Sequence, residues 1–531
     1  MTNLCIKIGT LLLISATLSA QNIELKDWFH LDWDADQMPG LSTDKLYKEI
    51  IKDRKGQKVV VAVLDSGVDL DHEDLNKVRW VNEDEIPGNK IDDDGNGYID
   101  DVYGWSFLGH PNGTNVHQDN LEATRIVGLY QNQFDGVEEA DIKKRDLANY
   151  LIYKRAVQEV ESSSKEAEEN YGFYNMLTQA IEKLKEELGK SEVSKEDLEN
   201  LDSSDPMIQS ISTMLINIFN QGMTFEQIES ELFDANEYFE NQVKYWYNIN
   251  FNPRNVIGDD INNKKEKLYG NNDYRGPDAN HGTHVAGIIG AERDNGIGLD
   301  GVANNVAIMS VRVVPDGDER DKDVANAIRY AVDNGAKVIN MSFGKGFSPY
   351  KGVVDKAIKY AVRKDVVLIH AAGNDGKENN FSNNFPNDKY GKKGLLGNAF
   401  ASSWIEIGAL APDKNTQLAA SFTNYSKELV DVFAPGQEIY SSTPDNNYEM
   451  LQGTSMAAPM VAGVAALLRS YFPKLKAWEI KDIIIDSATK INQKVIKPGT
   501  ADEEIDFSQL SVSGGIVNAY NAFKLAEKVS R

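Results

Sequence analysis

The chain has 531 residues, 41 % hydrophobic and 9 % aromatic, which is enough to bury a full α/β core and leave room for a second folded unit. Its formal net charge of −26 excludes nucleic acid and anionic membrane as partners, because both need a basic face that this composition lacks. Such acidity fits an exported protein and favours cation binding.

At the amino end, Lys7 precedes the apolar run Ile8 to Leu18 and the small residues Ser19-Ala20 before Gln21. That run has the size of a signal-peptide core and is too short to span a bilayer, so export with cleavage of residues 1–20 is expected, to the periplasm or the medium, with no transmembrane segment. The only cysteine, Cys5, lies inside this segment, which leaves a mature chain without disulfides. Residues 21–57, with Trp28, Trp33 and Leu46, read as a wrap before the first strand.

From Lys58 the pattern alternates. Lys58–Leu64 is a β-branched strand ending on Asp65, and an acidic glycine loop, Asp92 to Asp101, follows it. Residues 118–274 change texture: Lys and Glu dominate, and Asp146–Asn170, Phe173–Lys190, Met207–Asn220 and Thr224–Tyr247 have helical spacing, the last opened by a Thr224/Gln227 capping pattern. Beyond it come a helix at Asn280–Gly290, strands at Val306–Val314, Ala336–Met341 and Val366–Ala371, and helices at Lys322–Asn334 and Tyr350–Lys364. Strands Trp404–Ala409 and Leu429–Ala434, the helix Thr454–Tyr471 and a helical stretch in Gly515–Val529 complete the pattern. Continuous apolar strands separated by amphipathic helices predict a three-layer, doubly wound, mostly parallel α/β sheet. Residues 58–117 and 275–531 form this domain, and residues 118–274 are a large all-helical insertion in it. Ligands of such sheets gather at the strands' carboxyl ends, where Asp65 and Asn374 both lie.

Gly453-Thr454-Ser455-Met456-Ala457-Ala458-Pro459 sets a serine among small residues at a helix start. A serine hydroxyl is a weak nucleophile until a base takes its proton and donors hold the oxyanion that results. The chain offers such groups in Asp65, in His281 of Asn280-His281-Gly282-Thr283-His284, and in Asn374 of Ala371-Ala372-Gly373-Asn374. His281 and His284 are also spaced as a metal pair could be, but no His-Glu-x-x-His pattern accompanies them. Asp92, Asp94, Asn96 and Asp100 place oxygen donors at alternating positions around Gly95 and Gly97, a loop suited to wrapping calcium. Tyr103 stands where an EF-hand carries its glutamate, so this is a loop of another architecture; a solvated acidic turn is the alternative reading.

In the order Asp, His, Asn, Ser, these four segments resemble the subtilases, the subtilisin-like serine proteases of peptidase family S8. The resemblance covers roughly Lys58 to Tyr103 and Asn280 to Ala522. It implies an exported, calcium-stabilised serine endopeptidase acting on protein or peptide substrates, in which Ser455 forms an acyl-enzyme, His281 is the base, Asp65 orients it and Asn374 binds the oxyanion. It implies that Ser342-Phe343-Gly344 forms one wall of the pocket for the residue before the scissile bond, opposite Val314–Asp318. It also implies a second calcium site, with the side chains of Asp74 and Asn295 and the carbonyls of Arg293, Ile297 and Leu299. The segment before Lys58 is shorter than a folding prodomain, so either the enzyme folds unaided or the insertion serves as chaperone, lid or recognition element. Two rivals stand beside this reading: a non-catalytic subtilase scaffold that holds a partner, and a latent protease whose insertion covers the cleft. The sequence carries no signal for oligomeric state.

Overall fold

The computed structural model describes residues 26–391 and 399–531; the expected signal segment, residues 1–20, lies outside them. The strands in chain order are β1 (Val59–Asp65), β2 (Gly104–Ser106), β3 (Val306–Arg312), β4 (Val338–Met341), β5 (Val367–Ala371), β6 (Trp404–Leu410) and β7 (Val432–Pro435). They are followed by β8 (Ile439–Thr443), β9 (Asn447–Leu451), β10 (Thr489–Lys490), β11 (Lys494–Ile496), β12 (Glu504–Asp506) and β13 (Gly515–Ile516). Nine of them form one sheet in the order β10-β13-β7-β6-β5-β4-β1-β3-β2. Every pairing in it is parallel except β10 with β13 at the edge.

Alternation along each strand divides the interior into two cores, one on each face. Val59, Val61 and Val63 of β1 join Val306, Ile308, Val338, Val367 and Ile369 on one face, with the helices Asn280–Gly290 and Thr454–Tyr471 packed over them. Ala62 and Leu64 point the other way, with Met309, Val311, Ile339 and Leu368, under the helices Asp321–Asp333 and Lys351–Arg363. Three layers result, as the uninterrupted apolar strands require. Asp65 falls on the β1 face that carries the helices bearing His281 and Ser455. β1 is also where consecutive strands step from one side, β3, to the other, β4, so its carboxyl end opens at a topological switch.

The described part of the wrap, from residue 26 to 57, belongs to the same unit; Trp28 and Leu46 are buried, and Trp33 packs against a smaller core.

Contacts divide the chain into two compact units, and the helical one is narrower than the sequence indicates, Ala123–Asn252. Residues 253–274 pack with the sheet domain instead: Arg254 forms a buried pair with Asp323 at 2.6 Å, and the Trp105 indole donates to the Tyr269 carbonyl at 2.9 Å. Inside the helical unit, Leu177, Ile181, Leu184, Ile208, Leu215 and Ile228 share a core. Thr224 and Gln227 close the expected capping box. The two helices expected at Asp146–Asn170 and Phe173–Lys190 are one continuous 42-residue helix, Leu147–Leu188. Gly172 does not interrupt it: an internal glycine costs about 1 kcal/mol against alanine but removes no hydrogen bond. Among the described residues no helix is long and apolar enough to cross a membrane.

Candidate active site

Asp65 ends β1 and is buried. Its Oδ1 accepts from the Ser66 amide at 2.8 Å and bonds His281 Nδ1 at 2.7 Å. The carboxylate fixes a proton on Nδ1 and leaves Nε2 as the lone-pair end, the tautomer a general base needs. The contact requires the helix Asn280–Gly290 to start hard against the end of β1. Gly282 allows this: a Cβ there would lie 2.0 Å from the Gly67 carbonyl oxygen and 3.1 Å from Asp65 Cβ. Burial opposes charge on His281, but the charge and hydrogen bond of Asp65 outweigh it and hold the imidazole pKa above its ordinary value. Behind Asp65, the buried Arg312 donates to the Ser66 carbonyl at 2.9 Å, and burial lowers its pKa to about 10.

Ser455 is the second residue of the helix Thr454–Tyr471. Its hydroxyl donates to the Ser342 carbonyl at 3.1 Å, while the Ser342 hydroxyl donates to the Ser455 carbonyl at 2.8 Å. No hydrogen bond joins Ser455 to His281 in this conformation, so the hydroxyl must leave Ser342 to meet the imidazole; such bonds often tighten only with substrate. Asn374 follows β5. Its Oδ1 accepts from the Thr454 amide at 2.8 Å and the Thr454 hydroxyl at 2.9 Å. The Thr454 N–H can only donate, so the Asn374 Nδ2 must face the other way. A methyl group placed on Gly453 would lie 3.3 Å from that Nδ2 and 3.6 Å from Ser455 N. Two donors without partners among the described residues therefore converge beside the hydroxyl, at a helix start whose dipole favours a developing anion.

His284 takes no part. Its Nε2 donates to the carbonyls of Ile439 and Glu449 at 3.0 and 3.2 Å, tying the helix to the β8–β9 hairpin, and burial lowers its pKa to about 3. A cavity of about 250 Å³ adjoins Asp65, His281 and Ser342 and extends along Val314–Asp316 past His117 and Asp278. Within Val314–Asp318, Asp316 is already paired on both backbone groups, with His117 and Asp119 at 2.8 Å each. Ser342, Phe343 and Gly344 lie at the end of β4 beside Ser455.

The acidic loop gathers Asp92 and Asp94, but their third partner is Glu85: one carboxylate oxygen of each lies within 4.8 Å of the others. Asn96 touches the group through Asp94, its Nδ2 donating to Asp94 Oδ2 at 2.9 Å. Asp100 is not part of the cluster. Its backbone is left-handed, and its two oxygens accept the Gly88 and Lys90 amides at 2.8 Å each. At the other expected cation site, Asp74 meets the Asn295 amide and the Leu299 N–H, the latter at 3.1 Å, and burial raises its pKa. The Asn295 Oδ1 accepts from the Ile297 N–H at 3.0 Å, so the amide nitrogen faces the carboxylate here, and a bound cation would have to draw that oxygen away from Ile297. Glycine at 298 keeps the Arg293–Leu299 loop close to Asp74, since a Cβ there would lie 2.0 Å from Asp74 Oδ2. The Arg293 guanidinium points to the Gly301 carbonyl, at 2.7 Å. Sequence reading missed Glu85 and Arg312, which no local pattern links to the site.

An oriented histidine, a serine at a helix start and two converging N–H donors define the serine-hydrolase class of site. A sequence model of the subtilase family matches residues 56–505, and the chain belongs to that family. The thermophilic serine proteinase of Bacillus sp. is 40 % identical over 237 residues, covering 44 % of this chain and 53 % of that protein, so the chain spans about half the length of this relative. Subtilisin DY of Bacillus licheniformis is 39 % identical over 215 residues, 40 % of this chain and 71 % of its own length. A solved protease of Pseudoalteromonas arctica aligns with 48 % of this chain and 78 % of its own at 28 % identity, with a TM-score of 0.39.

Proposed function

We propose that the chain is an exported serine endopeptidase using Asp65, His281 and Ser455, with Asn374 as oxyanion donor. The observation that carries this reading is the 2.7 Å bond from His281 Nδ1 to Asp65, with Ser455 and the two converging donors at the same carboxyl end of the sheet. His281 Nε2 takes the proton as Ser455 Oγ bonds to the peptide carbonyl carbon. The oxygen, now anionic, is held by Asn374 Nδ2 and Ser455 N. The imidazolium returns the proton to the leaving amine as the C–N bond breaks, and water repeats the sequence on the acyl-enzyme. The Asp65 carboxylate supports the charged imidazole through its bond to Nδ1. Ser455→Ala, which removes one hydroxyl, is expected to abolish hydrolysis of an unfolded protein substrate with an unchanged circular dichroism spectrum. Hydrolysis retained in a purified variant would falsify the assignment.

Calcium would be held at two places: by Glu85, Asp92 and Asp94, and by Asp74 with Asn295 and the carbonyls of Arg293, Ile297 and Leu299. The donors fit a hard cation, being carboxylates and carbonyls held close together without a basic side chain in the carboxylate group. Bound calcium would neutralise those charges and stabilise the native state alone. Export rests on the Lys7 to Ala20 pattern. Sequencing the amino terminus of protein recovered outside the cytoplasm tests it, with a start near Gln21 expected.

A further inference from the structure

A buried charged cluster stands just beyond the cleft and takes no part in the proposed chemistry. The cavity beside Asp65 and His281 has two walls: Val314 to Asp316, which leave β3, and Ser342, which follows β4. β3 and β4 lie on opposite sides of β1, so no bond of the sheet joins these walls directly. Three residues past Ser342 is Lys345, and three past Asp316 is Glu319, where the two chains meet again. Lys345 is buried, and its backbone is fixed to Phe385 by paired bonds of 3.0 Å. Its ammonium crosses to the other wall, donating to the Glu319 carbonyl at 2.6 Å and meeting Asp321 Oδ1 at 3.0 Å. A third partner is Glu122 Oε2 at 2.8 Å, on the segment that leads into the helical unit. That segment is bonded along the first wall as well: both Asp119 oxygens accept from Arg320 at 2.7 Å, and the Glu122 amide donates to Asp318 at 2.7 Å.

The cluster is rich in acid. Glu122, Glu319 and Asp321 are all buried around the Lys345 ammonium, with Asp318 adjoining. Arg320 is turned to Asp119, and Lys264, on the segment that returns from the helical unit, lies near Glu122 and Asp321 with its own pKa lowered by burial. The carboxylates of Glu122 and Asp321 already outweigh the ammonium they touch. Burial, with the charges of Asp318 and Asp321, therefore pushes the Glu319 carboxyl up to about 8 against the pull of Lys345. A further anion in this place exceeds what the ammonium can balance, so its ionisation requires the cluster to open to water.

We infer that Lys345 is a positioning residue of the cleft, a cross-brace that sets the spacing of its two walls for an extended substrate, and that ionisation of Glu319 beside it releases the brace. The inference rests on the peptidase reading above. A short substrate reaches only the part of the cleft beside Ser455 and His281, whereas a longer one runs on between the walls that Lys345 ties together.

A dipeptide amide and a longer peptide carrying the same dipeptide before the scissile bond test this, and the ratio of their kcat/KM values cancels the titration of His281, which both share. In the unaltered enzyme the long-to-short ratio is expected to fall about tenfold as pH rises through 8, with the loss in KM for the long peptide. Glu319→Gln, whose amide stays neutral, is expected to hold the ratio level over the same interval. Lys345→Met is expected to show the fallen ratio already below pH 8 and no further step; a merely structural role would slow both substrates alike. A ratio that does not fall through pH 8 in the unaltered enzyme, or a step that persists in Glu319→Gln, overturns the inference and leaves the peptidase reading standing. Failure of the unaltered protein both to react with fluorophosphonate and to cleave any peptide overturns both. Should Lys345→Met not fold, because it leaves buried carboxylates unbalanced, the unaltered enzyme and Glu319→Gln decide.

Discussion

At the scale of single residues, the site depends on which end of each polar group is tied down. Thr454 holds Asn374 by its oxygen, which leaves the nitrogen for the oxyanion. Asn374→Ala is therefore expected to cost about 2.7–4 kcal/mol in kcat with little change in KM, because that donor serves charge that exists only in the transition state. An effect confined to KM in steady-state kinetics would contradict the role. Asp65 raises the His281 pKa, so activity needs pH above that raised value and declines as pH falls through it. Asp65→Asn is expected to lower kcat by about 10⁴-fold and to move the acid limb of the kcat/KM profile to lower pH; an unmoved limb would separate that limb from His281. Asp65, His281, Asn374 and Ser455 were legible in the sequence because each sits in a short segment whose glycines and small residues mark a strand end or helix start. Glu85 and Arg312 were not, because each reaches its partners only through folding. Asp100 misled for a related reason: its spacing suits a cation loop, but its left-handed backbone delivers the carboxylate to the Gly88 and Lys90 amides.

Among the elements, β1 and β3 to β7 of the central sheet were readable because burial on both faces leaves uninterrupted β-branched runs; β2, β10 and β13 are too short for such a run, and Gly515–Ile516 falls in the stretch expected to be helical, whose helix starts only at Ala519. The β8–β9 hairpin was not: its second strand is partly exposed, and its turn, Pro444-Asp445-Asn446, relies on Asp445 and Asn446 adopting positive φ. That hairpin is pinned by His284. Its pKa of about 3 in the fold, against about 6.5 in a disordered chain, means that below pH 6.5 the unfolded state binds the proton and the native state does not. The contribution of His284 is thus complete above pH 6.5 and falls by about 1.4 kcal/mol per pH unit between 6.5 and 3. His284→Gln, whose amide also donates to carbonyls, is expected to flatten the pH dependence of urea unfolding in that interval; a slope identical to the parent's would contradict this. The acidic loop gives a parallel test at neutral pH. Excess chelator is expected to lower the melting temperature and hasten self-digestion, and the Asp92→Asn, Asp94→Asn double variant should show a smaller loss; an unchanged melting curve with no metal on elemental analysis would rule out the cation.

For the whole molecule, the question is what the helical unit Ala123–Asn252 adds to the enzyme. Its presence was evident from composition; its limits were not, because residues 253–274 are polar and loop-like in sequence yet bind the sheet domain through Arg254 and Tyr269. The residue before the unit, Glu122, is anchored on the sheet domain by Lys345 at 2.8 Å, next to Gly344. We expect the insertion to restrict the cleft to flexible or unfolded chains. Replacing Ala123–Asn252 by a short Gly/Ser linker should then raise cleavage of a folded protein relative to a small peptide; the same ratio in both forms would make the insertion a peripheral addition. A shortened chain that fails to fold would assign it the role of a folding aid.

The most direct test of a serine nucleophile at the start of the Thr454–Tyr471 helix is fluorophosphonate labelling of the full chain, with the adduct mapped by peptide mass spectrometry. One equivalent of label on Ser455, formed in step with loss of peptidase activity and much more slowly in His281→Ala, is the result expected. Undiminished hydrolysis with Ser455 unlabelled, or label on another serine in step with the loss of activity, would contradict it.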